Sequence, residues 1–179
     1  MSRPLAVMAI VWIARFSQGA FASEPLFQAI DEHQEHAAIE LVESGKPDLK
    51  ARNARGDTAL HRAVETGLRQ VTRSLLAAGA DPHARTRNGE TALHLAALHA
   101  EPDFADLLLA AGADPRAQNR DGETPLHWAA LSGHIVVAQR LLARGADAKQ
   151  NTRNGQSARD YARRERHPEI VKLLERFEK

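Results

Sequence analysis

Residues 122–130 read Gly-Glu-Thr-Pro-Leu-His-Trp-Ala-Ala, and this stretch decides the fold because the chain repeats it. The same nine positions read Gly-Glu-Thr-Ala-Leu-His-Leu-Ala-Ala at 89–97 and Gly-Asp-Thr-Ala-Leu-His-Arg-Ala-Val at 56–64. The spacing is 33 residues in both cases, and a weaker copy begins at Gly155. A small unit of this kind cannot bury its apolar face alone, so neighbouring units stack and share a core. The sequence therefore predicts one elongated stack of similar units.

Within each unit, the sequence predicts two helices and a tight turn. A threonine stands before each first helix, where its hydroxyl group can accept a hydrogen bond from the first turn; these are Thr58, Thr91 and Thr124. A Leu-Leu pair and then a glycine end each second helix, where a left-handed residue is favourable; the glycines are Gly79, Gly112 and Gly145. The dipeptides at 88–89, 121–122 and 154–155 are Asn-Gly or Asp-Gly, which are typical of hairpin turns.

Taken together and in phase, these motifs resemble the ankyrin repeat, whose first helix opens with Thr-Pro-Leu-His. The resemblance covers Glu24 to Lys179. It implies an all-α solenoid of stacked antiparallel helix pairs, joined by projecting β-hairpin-like loops. It also implies a protein-binding role for the concave face. We predict a domain over 23–179 with five units, of which the first and last are caps; the boundaries are 24–53, 54–86, 87–119, 120–152 and 153–179.

The first 22 residues have the pattern of a secretory signal peptide. Arg3 supplies a positive charge, residues 5–14 are an unbroken apolar run, and Ala20-Phe21-Ala22 is a small-x-small cleavage motif. The run is about half of the roughly 20 residues that a spanning helix needs, so a retained membrane anchor or a cap helix is less favoured. We expect cleavage after Ala22 and no stable membrane insertion afterwards. An arginine- and alanine-rich composition is typical of a high-GC bacterium, which makes the periplasm the expected location.

Charge and cysteine content exclude several classes of protein. The chain has 24 basic and 23 acidic residues, and both signs are interspersed. A nucleic-acid-binding protein would be expected to show a basic patch or stripe, so we predict no nucleic-acid partner. Cysteine is absent, and therefore no disulfide can form.

Histidine is the residue type that most invites a catalytic or metal-binding interpretation. His61, His94 and His127 each follow a capping threonine by three residues. Equivalent positions in stacked helices lie about 8–10 Å apart, whereas zinc ligands lie about 2 Å from the ion, so these three cannot share a metal. We predict a structural role for them, solvated positions for His33 and His36, and no metal or cofactor. No nucleophile elbow, zinc-binding helix motif or phosphate loop occurs, so we predict that the protein is not an enzyme.

Candidate partner-binding residues lie at the loop tips and on the inner helical surface. The tips supply Arg55, Asp57, Arg87, Glu90, Arg120, Glu123 and Arg153. The helices supply Leu98, His99, Trp128 and Leu131. Two alternatives stay open: the charged tips can be a solvated edge with local ion pairs, and the tryptophan can be packed between repeats.

The leading hypothesis is a monomeric periplasmic adaptor, inhibitor or protective partner that binds another protein through its concave face. The second is an exported effector that acts on another cell's proteins. The third is a metal-dependent enzyme that uses His33, His36 or His99.

Overall fold

The computed structural model describes residues 23–177, and in this range it contains ten helices and no β-strand. The predicted signal segment, residues 1–22, lies outside the described residues. The helices are α1 (Glu24–Asp31), α2 (Glu35–Glu43), α3 (Ala59–Glu65), α4 (Arg69–Ala77), α5 (Ala92–Ala96), α6 (Asp103–Ala110), α7 (Pro125–Ser132), α8 (Ile135–Ala143), α9 (Ala158–Arg164) and α10 (Pro168–Phe177). Within residues 23–177, none has the length and apolar character needed to cross a membrane.

The helices form two layers that follow chain order. The first helix of each pair, α1, α3, α5, α7 and α9, packs against the first helix of the next pair. The second helices, α2, α4, α6, α8 and α10, pack against one another in the same order. Each pair also packs internally, so the all-helical, stacked architecture expected from the repeats is present.

Alanine and leucine at repeated positions build the core between the layers. Fully buried alanines on α3, α5, α7 and α9 allow the first helices to approach closely; these are Ala63, Ala96, Ala129 and Ala162. Fully buried leucines on α4, α6, α8 and α10 fill the space between the second helices; these are Leu75, Leu108, Leu141 and Leu174. The core is therefore shared between neighbours along the whole stack, as a repeat architecture requires.

A finger, as we define it, is the loop that precedes a first helix: residues 53–57, 86–90, 119–123 and 152–156. In each finger the N–H of the first residue donates to the carbonyl of the last, at 2.8–2.9 Å. The glycine at the fourth position has a φ between +73° and +87°, and it closes a three-residue hairpin loop. One isolated bridge, Asn151 to Ser157, extends the last finger. The described fingers are thus hairpin turns without strands, because at most two pairs of residues close each of them.

The turn after α5 departs from its equivalents and exposes a leucine. Gly67 and Gly133 take a φ of +76° and +78° in the corresponding turns after α3 and α7. The equivalent residue is Ala100, for which a left-handed conformation is costly. Accordingly α5 is five residues long, whereas α3 has seven and α7 has eight. Leu98 lies in the resulting non-helical turn with 45% of its surface exposed.

Candidate protein-binding surface

The inner surface, as we define it, comprises the fingers and the exposed sides of α3, α5, α7 and α9. Backbone hydrogen bonds join successive fingers: the N–H of Arg120 donates to the carbonyl of Asn88, and the N–H of Arg153 donates to that of Asp121, both at 2.8 Å. The approach is so close that a Cβ on Gly122 would lie 2.9 Å from the Arg153 nitrogen. These glycines therefore serve both the left-handed turn and the contact between fingers, and the fingers form a rigid row.

Two arginines that the sequence analysis did not single out also join the fingers. Arg52 donates to the carbonyl of Gly56 at 2.7 Å and to that of Arg85 in the next unit. Arg85 donates to the carbonyl of Gly89 at 2.9 Å and to that of Gln118. The two arginines lie 33 residues apart, and this spacing was the signal that could have identified them.

The three repeated histidines have the predicted structural role. In each ring, Nδ1 accepts a hydrogen bond from the backbone N–H of the capping threonine and lies 2.8–2.9 Å from the hydroxyl oxygen of the same threonine. Nε2 lies 3.1–3.3 Å from a carbonyl oxygen of the next finger, so the neutral ring that carries its proton on Nε2 satisfies every contact. Burial lowers the pKa of His61, His94 and His127, that of His94 to about 4. The rings therefore connect each first helix to the following finger in the neutral state.

The acidic residues of the fingers bind their own structure. Asp57 is buried, accepts from Asn53 at 3.1 Å and pairs with Arg55 at 3.1 Å. Glu90 accepts from the Thr86 hydroxyl at 2.8 Å. These contacts engage Oδ2 of Asp57 and Oε2 of Glu90, and they hold each carboxylate against its own finger.

Glu123 is the centre of a network that the sequence did not predict. Its carboxylate accepts from Asn119 at 2.9 Å, from the Trp128 indole at 2.8 Å and from the Tyr161 hydroxyl at 2.6 Å. Burial alone would raise the pKa of Glu123, but these three hydrogen bonds together lower it. Burial, followed by the bond to Glu123, raises the pKa of Tyr161 to about 12. The network therefore connects the third finger to α9 and fixes the tryptophan ring.

The arginines at the tips fall into two groups. Arg55 pairs with Asp57 and, at 3.0 Å, with Glu65, which also pairs with Arg62 of α3. The other three, Arg87, Arg120 and Arg153, are exposed and 33 residues apart, and their guanidinium groups make no hydrogen bond or ion pair with a described residue. The free cationic groups of the inner surface therefore lie on the second to fourth fingers.

Apolar side chains are grouped at the middle of the inner surface. Leu98 is exposed, while Leu131 and Trp128 are half-buried against the core. Trp128 packs edge-on against His94, with ring centroids 5.4 Å apart, so it is partly a packing residue and partly surface. The ring of His99 packs against Phe104 at 4.9 Å between centroids. The inner surface thus carries an exposed leucine, Leu98, in one unit and an aromatic side chain held in one orientation, Trp128, in the next.

A shallow cleft of about 270 Å³ lies between the first two fingers and joins the charged tips to the helical surface. Arg55 and Arg87 line it from the fingers, and Glu65 and Leu95 line it from α3 and α5. Among residues 23–177, no group of three or more His, Cys, Asp or Glu side chains is arranged to hold a metal ion.

Comparison with known protein families agrees with this geometry. The family model described as ankyrin repeats (3 copies) matches residues 26–119 and, in a second match, residues 93–178. A search of the curated proteins gives no match. Since the two matches together span most of the chain and coincide with the stacked helix pairs, the chain belongs to the ankyrin-repeat family.

Proposed function

We propose that this protein is a non-catalytic module that binds another protein through its inner surface. Ankyrin repeats are generally protein–protein interaction modules. The observation that carries the proposal is Leu98, which is 45% exposed, with Leu131 at the equivalent position of the next unit and Trp128 on the same helix as Leu131. An apolar and aromatic centre with charged groups around it is the usual anatomy of an interface hot spot.

The site of action that we propose is the bacterial periplasm. Its support is the N-terminal segment, with a charged start, a short apolar run and a small-x-small motif that ends at Ala22. In this compartment the protein would act as an adaptor, as an inhibitor or as a protective partner of an exported enzyme. Fractionation of the native culture tests the location: recovery mainly from the medium would favour an exported effector instead.

A crosslinked pull-down with the full chain tests the binding surface. The test variant is Leu98→Asp, which places a charge at the centre of the apolar group. The matched control is Val136→Asp, because Val136 is 42% exposed but lies on α8, a second helix outside the inner surface. We expect the first variant to lose the partner that the parent captures and the control to retain it.

Two further results decide between the proposals. Capture that survives Leu98→Asp but is lost in Val136→Asp would place the interface on the second helices and contradict the proposed surface. Bound zinc, copper or iron in the purified protein, lost in variants of His33, His36 or His99, would instead support a metal-dependent enzyme.

A further inference from the structure

The charged groups of the fingers differ in whether they already have a hydrogen-bond partner within the protein. The carboxylates of Asp57, Glu90 and Glu123 accept hydrogen bonds from described residues, which hold the side chains in place without removing their charge. The exposed guanidinium groups of the second to fourth fingers have no acceptor among the described residues, so their hydrogen-bonding capacity is available to a partner.

The arginine backbones are held in place before any partner arrives. Arg120 and Arg153 donate their own N–H groups to the preceding finger at 2.8 Å. A Cβ on Gly56 would lie 2.6 Å from Cγ of Arg87, so the stem of Arg87 lies directly on the first finger. Because these positions are ordered already, binding through the guanidinium groups costs less conformational entropy than it would on a mobile loop.

The spacing of the row selects the conformation of the segment that fits it. Packed helices lie about 8–10 Å apart, so equivalent residues of successive repeats are expected at about this spacing. A polyproline II chain has three residues per turn and rises about 3.1 Å per residue, so every third side chain points the same way at about 9 Å intervals. In a β-strand, side chains on one face recur at every second residue, about 6.6 Å apart, and at every fourth, about 13 Å apart; neither distance matches the expected spacing of the row.

Two clefts lie beside the row. Arg87 lines both the cleft of about 270 Å³ and a second of about 460 Å³, which it shares with Arg52 and Arg85. These clefts can accept side chains of an extended segment that lies along the row. A nucleic acid would need a broader positive field than this chain offers, since its net charge is +1.

We infer that Arg87, Arg120 and Arg153 bind an acidic segment of the partner protein, in a polyproline-like conformation with a carboxylate at every third residue. This inference rests on the proposed protein-binding function and names the chemistry of the partner. Guanidinium groups suit this task because each can donate two parallel hydrogen bonds to one carboxylate.

Titration by NMR with a defined peptide tests the inference and detects weak binding. The probe is Ac-(Glu-Pro-Pro)4-NH2, added at low ionic strength to the ¹⁵N-labelled full chain. We expect saturable shifts of the amide signals of Gly89, Gly122 and Gly155, each two residues after an arginine of the row. An isomer of the same composition with its four glutamates contiguous should bind several-fold more weakly.

Charge-reversed variants provide the matched comparison. Changing Arg87, Arg120 and Arg153 together to Glu should weaken binding by about tenfold, since three exposed ion pairs are lost. The control changes three exposed arginines on or directly after the second helices to Glu and alters the net charge equally; these are Arg73, Arg144 and Arg176. The control should bind within about twofold of the parent.

Three results would overturn the inference. The first is that the two triple variants lose the same affinity for the probe. The second is that the isomer with contiguous glutamates binds as tightly as the probe. The third is that single-stranded DNA, or a helical peptide with Glu at every seventh residue, binds as tightly as the probe or more tightly. Failure here is distinguishable from failure of the proposed function, because the Leu98→Asp pull-down does not depend on the row. A captured partner without acidic segments would leave the protein-binding function intact and reject this inference alone.

Discussion

Protonation of the buried histidines should make this protein sensitive to acid, and His94 provides the measurable case. Its ring is fully buried; Nδ1 accepts from the Thr91 N–H at 3.1 Å, and Nε2 lies 3.1 Å from the carbonyl oxygen of Glu123. A proton added to Nδ1 would face the threonine N–H and leave it without an acceptor. The buried cation would also lose its hydration, which agrees with a pKa lowered from 6.5 to about 4.

The size of the effect follows from the difference in pKa between the folded and unfolded states. Between pH 6.5 and pH 4 the unfolded chain binds a proton at His94 that the folded chain does not bind. Stability is therefore complete above pH 6.5 and falls as the pH falls through this window. At pH 4.5 the loss from this one residue is about 2.5 kcal/mol, and the lowered pKa values of His61 and His127 act in the same direction.

Urea denaturation of the parent and of His94→Gln, followed by circular dichroism at pH 7 and pH 4.5, measures this contribution. Glutamine can accept from the Thr91 N–H but does not ionise. At pH 7 the variant should be less stable by about 1–3 kcal/mol because the contact with the Glu123 carbonyl is weakened. The difference in the free energy of unfolding between parent and variant should shift by about 2.5 kcal/mol in favour of the variant at pH 4.5. His83→Gln, at an exposed histidine, is the control and should follow the parent.

An unchanged gap between parent and His94→Gln at the two pH values would refute this account of the buried ring. If the variant does not fold at pH 7, His127→Gln permits the same comparison, since His127 makes the equivalent contacts with Thr124 and with the carbonyl of Gln156. In that case the gap should again narrow in acid, because burial lowers the pKa of His127 as well.

Three further substitutions test the contacts that order the fingers, each by urea denaturation. Gly122→Ala should lower the free energy of unfolding more than Gly155→Ala. Both positions have a positive φ, at which alanine costs about 1–3 kcal/mol, but only a Cβ at residue 122 would lie 2.9 Å from the Arg153 nitrogen. Equal losses of stability would contradict the close contact. Glu123→Gln should lower stability by about 1–3 kcal/mol and change the near-UV circular dichroism of the aromatic rings, because a charged acceptor of three hydrogen bonds is lost; an unchanged spectrum would contradict the network. Ser157→Ala should cost about 1 kcal/mol, since the hydroxyl accepts from the N–H of Asp160 at the start of α9, and no loss would mean that the cap is dispensable.

Much of the fold could be predicted because its determinants are local and repeat in phase. In this chain a threonine three residues before a histidine marks the start of a helix, and α3, α5 and α7 begin directly after Thr58, Thr91 and Thr124. The first and last units lack this opening, yet Pro25 and Pro168 still mark helix starts at α1 and α10. Proline fits the first helical turn because that turn does not need its missing N–H.

The candidate binding surface could be predicted only in outline. The charged tips and the inner helical positions were identified as a set, but the sequence assigns no side chain a direction. It could not show that Glu123 turns inward to Tyr161, which lies 38 residues away, or that Arg52 crosses to the next unit. The short α5 and the exposure of Leu98 were not predicted either. The feature that could have indicated them is Ala100, which stands where the corresponding turns have a glycine.

The sequence by itself determined the starts of α3, α5 and α7 and their threonine–histidine caps, because each depends on residues within one turn of one another. The tertiary structure alone decided which charged groups remain unengaged, because a carboxylate is held by whatever donor the stacking brings within about 3 Å of it. Asp57, Glu90 and Glu123 have such donors, whereas the guanidinium groups of Arg87 and Arg120 have no acceptor among the described residues. Which charged groups of the fingers are free to bind is thus a property of the fold, and composition alone could not have revealed it.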